Sequence, residues 1–204
     1  MADLTGYTAM TDVHGGASAA RIVNKYMSTV NAACAGSAKV VQRVGDQVVM
    51  IADRALDLLE TVNRIDVEEH LFLSIHAGMH FGPVFIENDN LFGSTINVAS
   101  RIMNLAKRSQ TLCSDIFLSN VPSTHKNQFK SIGVHRLKNV IDAIELFELL
   151  PVSDKPSLEV DPVCHMHVDP GKAFETIIYN GTTYYFCSDR CFELFQSTPD
   201  RFTA

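Results

Sequence analysis

Apolar and polar positions in residues 1–150 alternate between helix-like and strand-like periods. Apolar residues recur at helical spacing over residues 17–33, which predicts a helix after a loop at His14-Gly15-Gly16. Strands at 39–44 and 47–52 flank Gly45-Asp46, a dipeptide typical of a hairpin turn. The later patterns predict helices at 53–67 and 97–108 and strands at 71–78, 84–86, 134–137 and 144–149. This order predicts an α+β fold with short connections.

Residues 151–159 read PVSDKPSLE, and the prolines, serines and charges of this segment are typical of a linker. Residues 160–204 follow as a compact unit with aromatic strands and one short helix. A unit of about 45 residues buries too little surface to be stable by packing alone, so we expect a metal or a docking contact to support it. The chain is therefore divided into 1–150, a linker at 151–159, and 160–204.

Composition narrows the class of protein. Hydrophobic residues make up 46% of the 204 positions, enough for a packed core, and no apolar run approaches the roughly 20 residues of a membrane span. The first residues contain no basic and apolar segments of the kind found in signal peptides, so we expect none. A net charge of -6 without a basic run argues against a nucleic-acid partner. We expect a cytoplasmic protein, in which clustered cysteines are metal ligands before they are disulfides.

Two aspartates adjoin predicted strands near glycines: Asp3 in ADLTGYT and Asp46 in RVGDQVV. Two carboxylates brought together can bind Mg²⁺ or Mn²⁺, ions that prefer oxygen ligands and act on phosphates. Two ordinary turn aspartates are the alternative, and these two residues alone favour it. Asn97 and Arg101 lie four apart on a predicted helix, where arginine can hold a phosphate and asparagine a ribose oxygen. A solvated helix face is the commoner explanation for such a pair.

Five stretches together resemble the class III nucleotidyl cyclase catalytic domain, the adenylate and guanylate cyclase family. They are, in chain order, ADLTGYT, VVQRVGDQVVMIA, LSIHAGMHFGPV, DNLFGSTINVASRI and HRLKNV. They occur in the family's order and at its spacings across nearly all of residues 1–150. The resemblance implies a ferredoxin-like βαββαβ core and a head-to-tail homodimer with active sites at the interface.

The resemblance also implies roles for individual residues. Asp3 and Asp46 match the two metal-binding aspartates. Asn97 and Arg101 match the pair that orients the ribose and stabilises the transition state, and Lys138 matches, more loosely, a triphosphate-binding lysine. The implied reaction is attack of the ribose 3′-hydroxyl on the α-phosphate of ATP, which yields 3′,5′-cyclic AMP and pyrophosphate. Positioning and electrostatics supply most of such catalysis, so no protein nucleophile is needed.

The sequence departs from the family at the positions that read the base. Where a lysine and an aspartate usually recognise adenine, this chain has Gln42 and Asn90. An amide carries both a donor and an acceptor and can flip to suit either edge of a base. The pair can still read adenine, but it loses charge-assisted hydrogen bonds and much of the rejection of guanine. We therefore expect an adenylate cyclase with relaxed adenine preference and some capacity for GTP.

A second departure concerns the start of the domain. The family places a full apolar strand before ADLTGYT, whereas this sequence begins at Met1, so the first strand is largely missing. Without that strand we expect exposed sheet edges and Asp3 on a frayed terminus. An upstream start codon or a damaged domain would each explain the departure.

Three cysteines fall in the last 41 residues: Cys164, Cys187 and Cys191. Two thiols four residues apart at a helix start, with a third from an earlier loop, can converge on a metal such as Zn²⁺ or Cu⁺. DPVCHMHV, YYFCSDRCFELF and PDRF together resemble the YHS domain, a small TRASH-like metal-binding module. Either His165 or His167 could add a fourth ligand. The alternative is that the cysteines are small buried hydrophobes and the histidines are solvated.

These observations favour an adenylate cyclase for intracellular signalling, fused to a metal-binding module whose occupancy tunes its activity. Two alternatives stay open. One is a degenerate cyclase-homology domain that binds nucleotide or dimerises without turnover, and the missing strand favours it. The other is a metal sensor or metal-handling protein in which the cyclase domain is only a dimerisation scaffold.

Overall fold

The computed structural model describes residues 1–66, 73–88, 90–151 and 158–203, and these divide into two compact units. The first unit comprises Met1–Asp3, Ser28–Glu68 and Ile75–Asp154. The second comprises Leu4–Met27, Glu69–Ser74 and Lys155–Ala204. The mixed α+β class predicted from the sequence is confirmed.

The first unit is built on a twisted sheet flanked by helices. The helices to which it contributes are α1 (Tyr7–Ala33), α2 (Ala55–Asp66), α3 (Ser94–Met103) and α4 (Asp115–Ser119). The strands of the sheet are β1 (Ala2–Leu4), β2 (Lys39–Val44), β3 (Gln47–Ile51), β4 (Ile75–Met79), β7 (Thr111–Ser114), β8 (Phe129–His135) and β9 (Ile144–Leu149). A separate hairpin joins β5 (Phe85–Glu87) to β6 (Asn90–Phe92).

The described strands of the sheet follow the order β2-β3-β1-β4-β7-β9-β8. The first four, with α1 and α2 between them, give the βαββαβ order that the resemblance implies. β1 pairs antiparallel with β3, and β4 pairs parallel with β7. Side chains alternate between the two faces of a strand, so Leu112 and Cys113 of β7 enter two different hydrophobic clusters. One cluster contains residues of α2 and α4, and the other contains residues of α3.

The close approach of α3 to the sheet depends on a glycine in β4. A Cβ at Gly78 would overlap the backbone nitrogen of Met103 and the carbonyl oxygen of Ala99. Any larger residue at position 78 would push α3 away from the strand, because backbone atoms cannot yield as a flexible side chain can. This contact fixes the helix that carries Asn97 and Arg101.

The amino terminus differs from the frayed end expected from the sequence. β1 is short, but it lies in the middle of the sheet between β3 and β4. The Met1 amino group donates to the Gly78 carbonyl at 2.8 Å, and the Gly78 amide donates back to the Met1 carbonyl at 2.9 Å. Burial lowers the pKa of the Met1 amino group to about 5. Asp3 is therefore part of a paired strand, and the expectation of a loose end is wrong.

The second unit surrounds a small aromatic core. Its carboxy-terminal elements are β10 (Glu159–Val160), β11 (His167–Val168), β12 (Glu175–Tyr179), β13 (Thr182–Phe186) and α5 (Asp189–Ser197). Residues of β12, β13 and α5 form a cluster around Phe186 and Phe195, which are fully buried, and β10 pairs antiparallel with β11. Val13 of α1 packs against the same cluster. Residues 152–157 of the predicted linker lie outside the described residues.

Candidate functional site

Asp3 and Asp46 lie at the same end of two neighbouring strands. Ala2 of β1 pairs with Val48 of β3 in antiparallel register. Asp3 is one residue beyond this pair, and Asp46 is two residues before Val48, in the turn that joins β2 to β3. Antiparallel neighbours run in opposite directions, so both aspartates extend from the pair toward the same edge of the sheet.

The Asp46 carboxylate also interacts electrostatically with His76 in β4, which is separated from β3 by β1. His76 in β4 is half-buried, and its burial lowers the pKa of the imidazole, while the Asp46 carboxylate raises it. His76 is a half-buried residue within β4. The carboxylate edge of the sheet therefore has a largely neutral imidazole near Asp46 at neutral pH.

Asn97 and Arg101 share one face of α3. The buried face of this helix carries Val98, Ile102 and Met103. Asn97 is exposed and Arg101 is half-buried, so the amide and the guanidinium project away from that core at helical spacing. The helix begins after Gly93, whose φ of 136° lies in a region that L side chains rarely adopt.

The residues assigned to base and phosphate recognition lie on three separate elements. Gln42 is exposed on β2, just after an irregularity in the pairing between Val40 and Gln42. Asn90 begins β6, where its side-chain amide donates to the Asn88 carbonyl at 3.0 Å. Lys138 is exposed in the turn after β8. The structure thus presents all three to solvent, each from a different part of the first unit.

The three predicted cysteines come together with a histidine that the sequence interpretation did not assign. The group is His14, Cys164, Cys187 and Cys191, and their four ligand atoms lie within 4.8 Å of one another. The Cys187 sulfur is 3.4 Å from that of Cys164 and 3.7 Å from that of Cys191. Cys164 and Cys191 are fully buried, and the cysteines are not joined by disulfides.

Local sequence explains where each sulfur lies. Ser188 caps α5 by accepting from the Cys191 amide at 3.3 Å, which places Cys191 in the first helical turn. Cys187 immediately precedes that cap, at the end of β13. Thiols at a helix amino terminus lie in a field that favours the thiolate form. The CSDRC segment places the sulfurs of Cys187 and Cys191 next to each other at the start of α5, 3.7 Å apart.

Asp161 connects the first cysteine to this helix start. Its carboxylate accepts from the backbone amides of Val163 at 2.9 Å, Cys164 at 3.1 Å and Cys187 at 2.8 Å. The residue is fully buried, and this burial raises its pKa, while the three amide donors oppose the rise. Asp161 is the first residue of the DPVC sequence, whose cysteine is the predicted ligand. The structure assigns it the positioning of two ligand-bearing loops.

The thiols do not share one acidity. Hydrogen bonds from the thiols of Cys164 and Cys191 lower the pKa of Cys187. The hydrogen bonds of Cys164 to Cys187 and Cys191, and its burial, raise the pKa of Cys164. The hydrogen bonds among the thiols therefore favour ionisation of Cys187 over ionisation of Cys164.

The donor set fits a tetrahedral metal site. Bonds of about 2.3 Å to sulfur and about 2.0 Å to nitrogen, in a tetrahedron, separate two sulfurs by about 3.8 Å and a sulfur from a nitrogen by about 3.6 Å. Four of the six separations among the ligand atoms are close to these values: 3.4 and 3.7 Å from the Cys187 sulfur to those of Cys164 and Cys191, and 3.6 and 3.7 Å from the His14 Nε2 to the Cys187 and Cys191 sulfurs. All six separations are within 4.8 Å.

The two histidines that the sequence suggested as a fourth ligand lie elsewhere. His165 has a φ of 65°, and its side chain covers Gly6 so closely that a Cβ at position 6 would overlap it. The Nε2 of His167 is hydrogen-bonded to the Ser74 hydroxyl at 2.7 Å. Among the residues that the structure describes, the histidine nitrogen that lies close to the three sulfurs belongs to His14. The sequence placed His14 in a loop before the predicted helix and gave no signal that connects it with the cysteines.

Comparison with known protein families agrees with this geometry. Residues 9–140 match the family model described as the adenylate and guanylate cyclase catalytic domain. The chain belongs to this family. Residues 160–204 match the model of the YHS domain. His14 falls within the cyclase match, whereas the three cysteines fall within the YHS match.

Relatives and solved structures support the cyclase assignment. A "pH-sensitive adenylate cyclase" of Mycobacterium tuberculosis is 24% identical over 155 residues, which cover 72% of this chain and 39% of that protein. The chain thus spans well under half the length of this relative. The adenylyl cyclase CyaB of P. aeruginosa superposes with a TM-score of 0.60 at 17% identity, over 76% of this chain and 93% of that one.

A guanylyl cyclase domain from the fungus Blastocladiella emersonii, described as a non-canonical dimer, superposes equally well. Its TM-score is 0.61 at 18% identity, over 74% of this chain and 93% of that one. Adenylyl and guanylyl cyclases therefore share the fold of this cyclase domain. Within the described ranges, the cyclase and its YHS domain contain no helix with the length and apolar character of a membrane span.

Proposed function

We propose that the protein is a cytoplasmic adenylate cyclase that converts ATP into 3′,5′-cyclic AMP and pyrophosphate. The observation that carries the proposal is the match of residues 9–140 to the cyclase family together with the placement of four polar residues. Asp3 and Asp46 share one sheet edge, and Asn97 and Arg101 share one helix face. The curated relative named as an adenylate cyclase favours ATP as the substrate.

The carboxylates at the sheet edge are proposed to hold two Mg²⁺ or Mn²⁺ ions. When bound there, such ions would supply activation of the 3′-hydroxyl and neutralisation of charge on the leaving pyrophosphate. Asp3 and Asp46 suit them because hard cations prefer carboxylate oxygens. His76 adds little positive charge to compete for these carboxylates at neutral pH, because its burial lowers the pKa of the imidazole.

Three polar side chains are proposed to bind and orient the nucleotide. Arg101 presents a planar guanidinium that can hydrogen-bond two phosphate oxygens as charge builds up during transfer. Asn97, one helical turn earlier, orients the ribose so that its 3′-hydroxyl faces the α-phosphate. Lys138 binds the triphosphate from an exposed turn. None of these residues forms a covalent bond with the substrate.

Base recognition is proposed to rest on Gln42 and Asn90. Both side chains are exposed neutral amides. Each can donate to or accept from a base edge, so adenine is favoured only weakly over guanine. We propose a homodimer with two active sites at its interface, in which Gln42 and Asp46 of one hairpin serve opposite sites.

The test is an assay of the purified chain with Mn²⁺ and either ATP or GTP, with cyclic products separated by chromatography. We expect cyclic AMP as the main product and a smaller rate with GTP. Asp46→Ala should abolish both rates, whereas Asp115→Ala, an exposed aspartate at the start of α4, should not. Turnover of GTP without turnover of ATP would overturn the assignment of substrate. Specific activity should also rise with protein concentration if the active unit is a dimer.

A second candidate function is supported by the Cys164, Cys187 and Cys191 cluster. We propose that the YHS domain binds one Zn²⁺ or Cu⁺ ion through these thiols. If the wild-type protein makes no cyclic nucleotide yet binds this ion tightly, a metal-handling or metal-sensing protein, with the cyclase domain as a dimerisation scaffold, is favoured over an active cyclase. Metal binding and turnover are measured separately, so the two functions can be separated.

A further inference from the structure

We infer that His14 is the fourth ligand of the YHS metal, so that one ion ties a helix of the cyclase sequence to the YHS domain. The inference rests on the metal binding proposed for the three cysteines and adds a residue that lies 150 positions before Cys164. The His14 Nε2 lies 3.6 Å from the Cys187 sulfur and 3.7 Å from the Cys191 sulfur, near the spacing of about 3.6 Å expected in a zinc tetrahedron.

The position of His14 is set by the residues beside it. Val13, the residue before His14, packs against the aromatic core that contains Phe186 and Phe195. This contact anchors the backbone next to His14. Gly15 follows with φ 79° and ψ 166°, so the backbone leaves the helical path there. Glycine adopts this conformation without steric cost. α1 is thereby kinked one residue after His14, and the side chain is presented where the helix turns.

Three sulfurs and one imidazole form a complete donor set. Cys₃His is a known arrangement of structural zinc sites, which are four-coordinate and closed. Catalytic zinc sites keep one coordination position open for water, whereas this cluster offers four protein ligands and leaves no such position. The near-complete burial of two of its sulfurs also disfavours an exchangeable ligand. The site is therefore assigned to Zn²⁺ in a structural or regulatory role.

The long separation in sequence gives the fourth ligand a particular effect. The three cysteines span only 28 residues, whereas His14 lies 11 residues after Asp3. Ion binding through His14 closes a long loop, and such closures stabilise the folded chain most when they join distant segments. Binding of Zn²⁺ through His14 should therefore order the segment Leu4–Met27, which belongs to the same compact unit as the cysteines, and this ordering is the proposed route from the ion to the cyclase sequence.

The test uses the full chain, stripped of metal and titrated with Co²⁺ as a spectroscopic probe and then with Zn²⁺. Wild-type protein should bind one equivalent of Co²⁺ with the visible absorption of a tetrahedral site and three sulfur-to-metal charge-transfer contributions. His14→Ala should lower the Zn²⁺ affinity by at least roughly 10–100-fold, the loss seen when only a supporting residue is removed. His14→Cys should restore tight binding and add a fourth sulfur contribution.

His165→Ala and His167→Ala are the matched controls, because they remove the rival ligands. Both should keep the wild-type spectrum and Zn²⁺ affinity. If His165→Ala or His167→Ala changes the spectrum and His14→Ala does not, the inference is overturned. Unchanged affinity in His14→Ala overturns it as well. If wild-type protein and Cys191→Ser both fail to bind Zn²⁺, the metal function of the YHS domain fails, whatever the cyclase assay shows.

Hydrogen exchange separates ordering of the cyclase segment from folding of the YHS domain. In wild-type protein, Zn²⁺ should slow exchange both around the cysteines and in residues 4–27. In His14→Ala, saturating Zn²⁺ should still protect the cysteine loops but no longer residues 4–27. Protection of residues 4–27 in that variant would show that the ion acts on them without His14 and would contradict the proposed route.

Discussion

The carboxylates at the sheet edge and the thiols of the YHS domain are both proposed as metal ligands, yet the chain holds the two sets differently. Asp3 and Asp46 come from one strand and one turn, and the helix that carries Arg101 is a separate element. The sulfurs of Cys164, Cys187 and Cys191 are packed within 4.8 Å of one another and of His14. The carboxylates and Arg101 form an open site, because they come from separate elements. The three cysteines and His14 form a closed site, because their ligand atoms are clustered.

The difference follows from the chemistry of the two classes of ion. Mg²⁺ keeps several waters and shares substrate phosphates, so the protein need supply only a few carboxylates. Zn²⁺ in a structural site takes all four ligands from the protein, so the protein must bring them together itself. We therefore expect substitutions at the open site to change turnover, and substitutions at the closed site to change stability.

The largest expected effect separates the two sites by activity. Arg101→Ala should lower kcat for cyclic AMP formation by roughly 10²–10³-fold, because a preorganised donor to developing charge contributes about that much. The melting temperature should change little, since the side chain lies on the outer face of α3. Rate assays and thermal unfolding of the same preparation give both values. Arg21→Ala, an exposed arginine of α1, serves as the control. An unchanged kcat would remove Arg101 from the site.

The next effect concerns stability at the closed site. Zn²⁺ at about 100 times its dissociation constant should stabilise the folded chain by about 2.7 kcal/mol, and chelation should remove this gain. For a chain of this size, the loss corresponds to a fall of roughly 5–10 °C in melting temperature. Thermal unfolding with and without chelator, in buffer free of Mg²⁺, measures it. Cys191→Ser should have a lowered melting temperature that the chelator does not change. A chelator response that survives in Cys191→Ser would place the stabilising ion elsewhere.

Much of the fold follows from periodicity along the chain. The strands β2, β3 and β9 match the predicted segments within one residue, because their alternation and turn residues are local signals. The first half of α1 was not predicted, since His14-Gly15-Gly16 is typical of a loop. Gly15 does leave helical geometry, but the chain is helical on both sides of it. Packing of Val13 in the aromatic core, a tertiary contact, holds that helix in place.

The candidate sites show the same limit. Cys187 and Cys191 could be paired from their spacing, because a helix start converts four residues into one turn. Nothing in local sequence connects either residue with His14, which only the folded chain brings near. Asp161 was likewise missed, since its three amide partners lie in two loops. Spacing predicts ligands within one element, and ligands that tertiary structure brings together must be found in the structure.

The smallest effect tests how the open site selects its base. Gln42 is exposed on an edge strand, so Gln42→Lys should be tolerated and should restore the charge that the family uses for adenine. A charge-assisted hydrogen bond exceeds a neutral one by about 1 kcal/mol, which corresponds to a rise of roughly five- to tenfold in the ratio of kcat/KM for ATP to that for GTP.

The matched control is Gln196→Lys, which adds the same charge to an exposed position of α5 in the YHS domain. It should leave the ratio of ATP to GTP turnover unchanged. An equal rise in both variants would mean that added positive charge attracts nucleotides in general, and Gln42 would not read the base. A rise in Gln42→Lys alone, with no change in melting temperature, would show that the open site can be retuned one residue at a time. The closed site, where each ligand is also part of the packing, should not allow this.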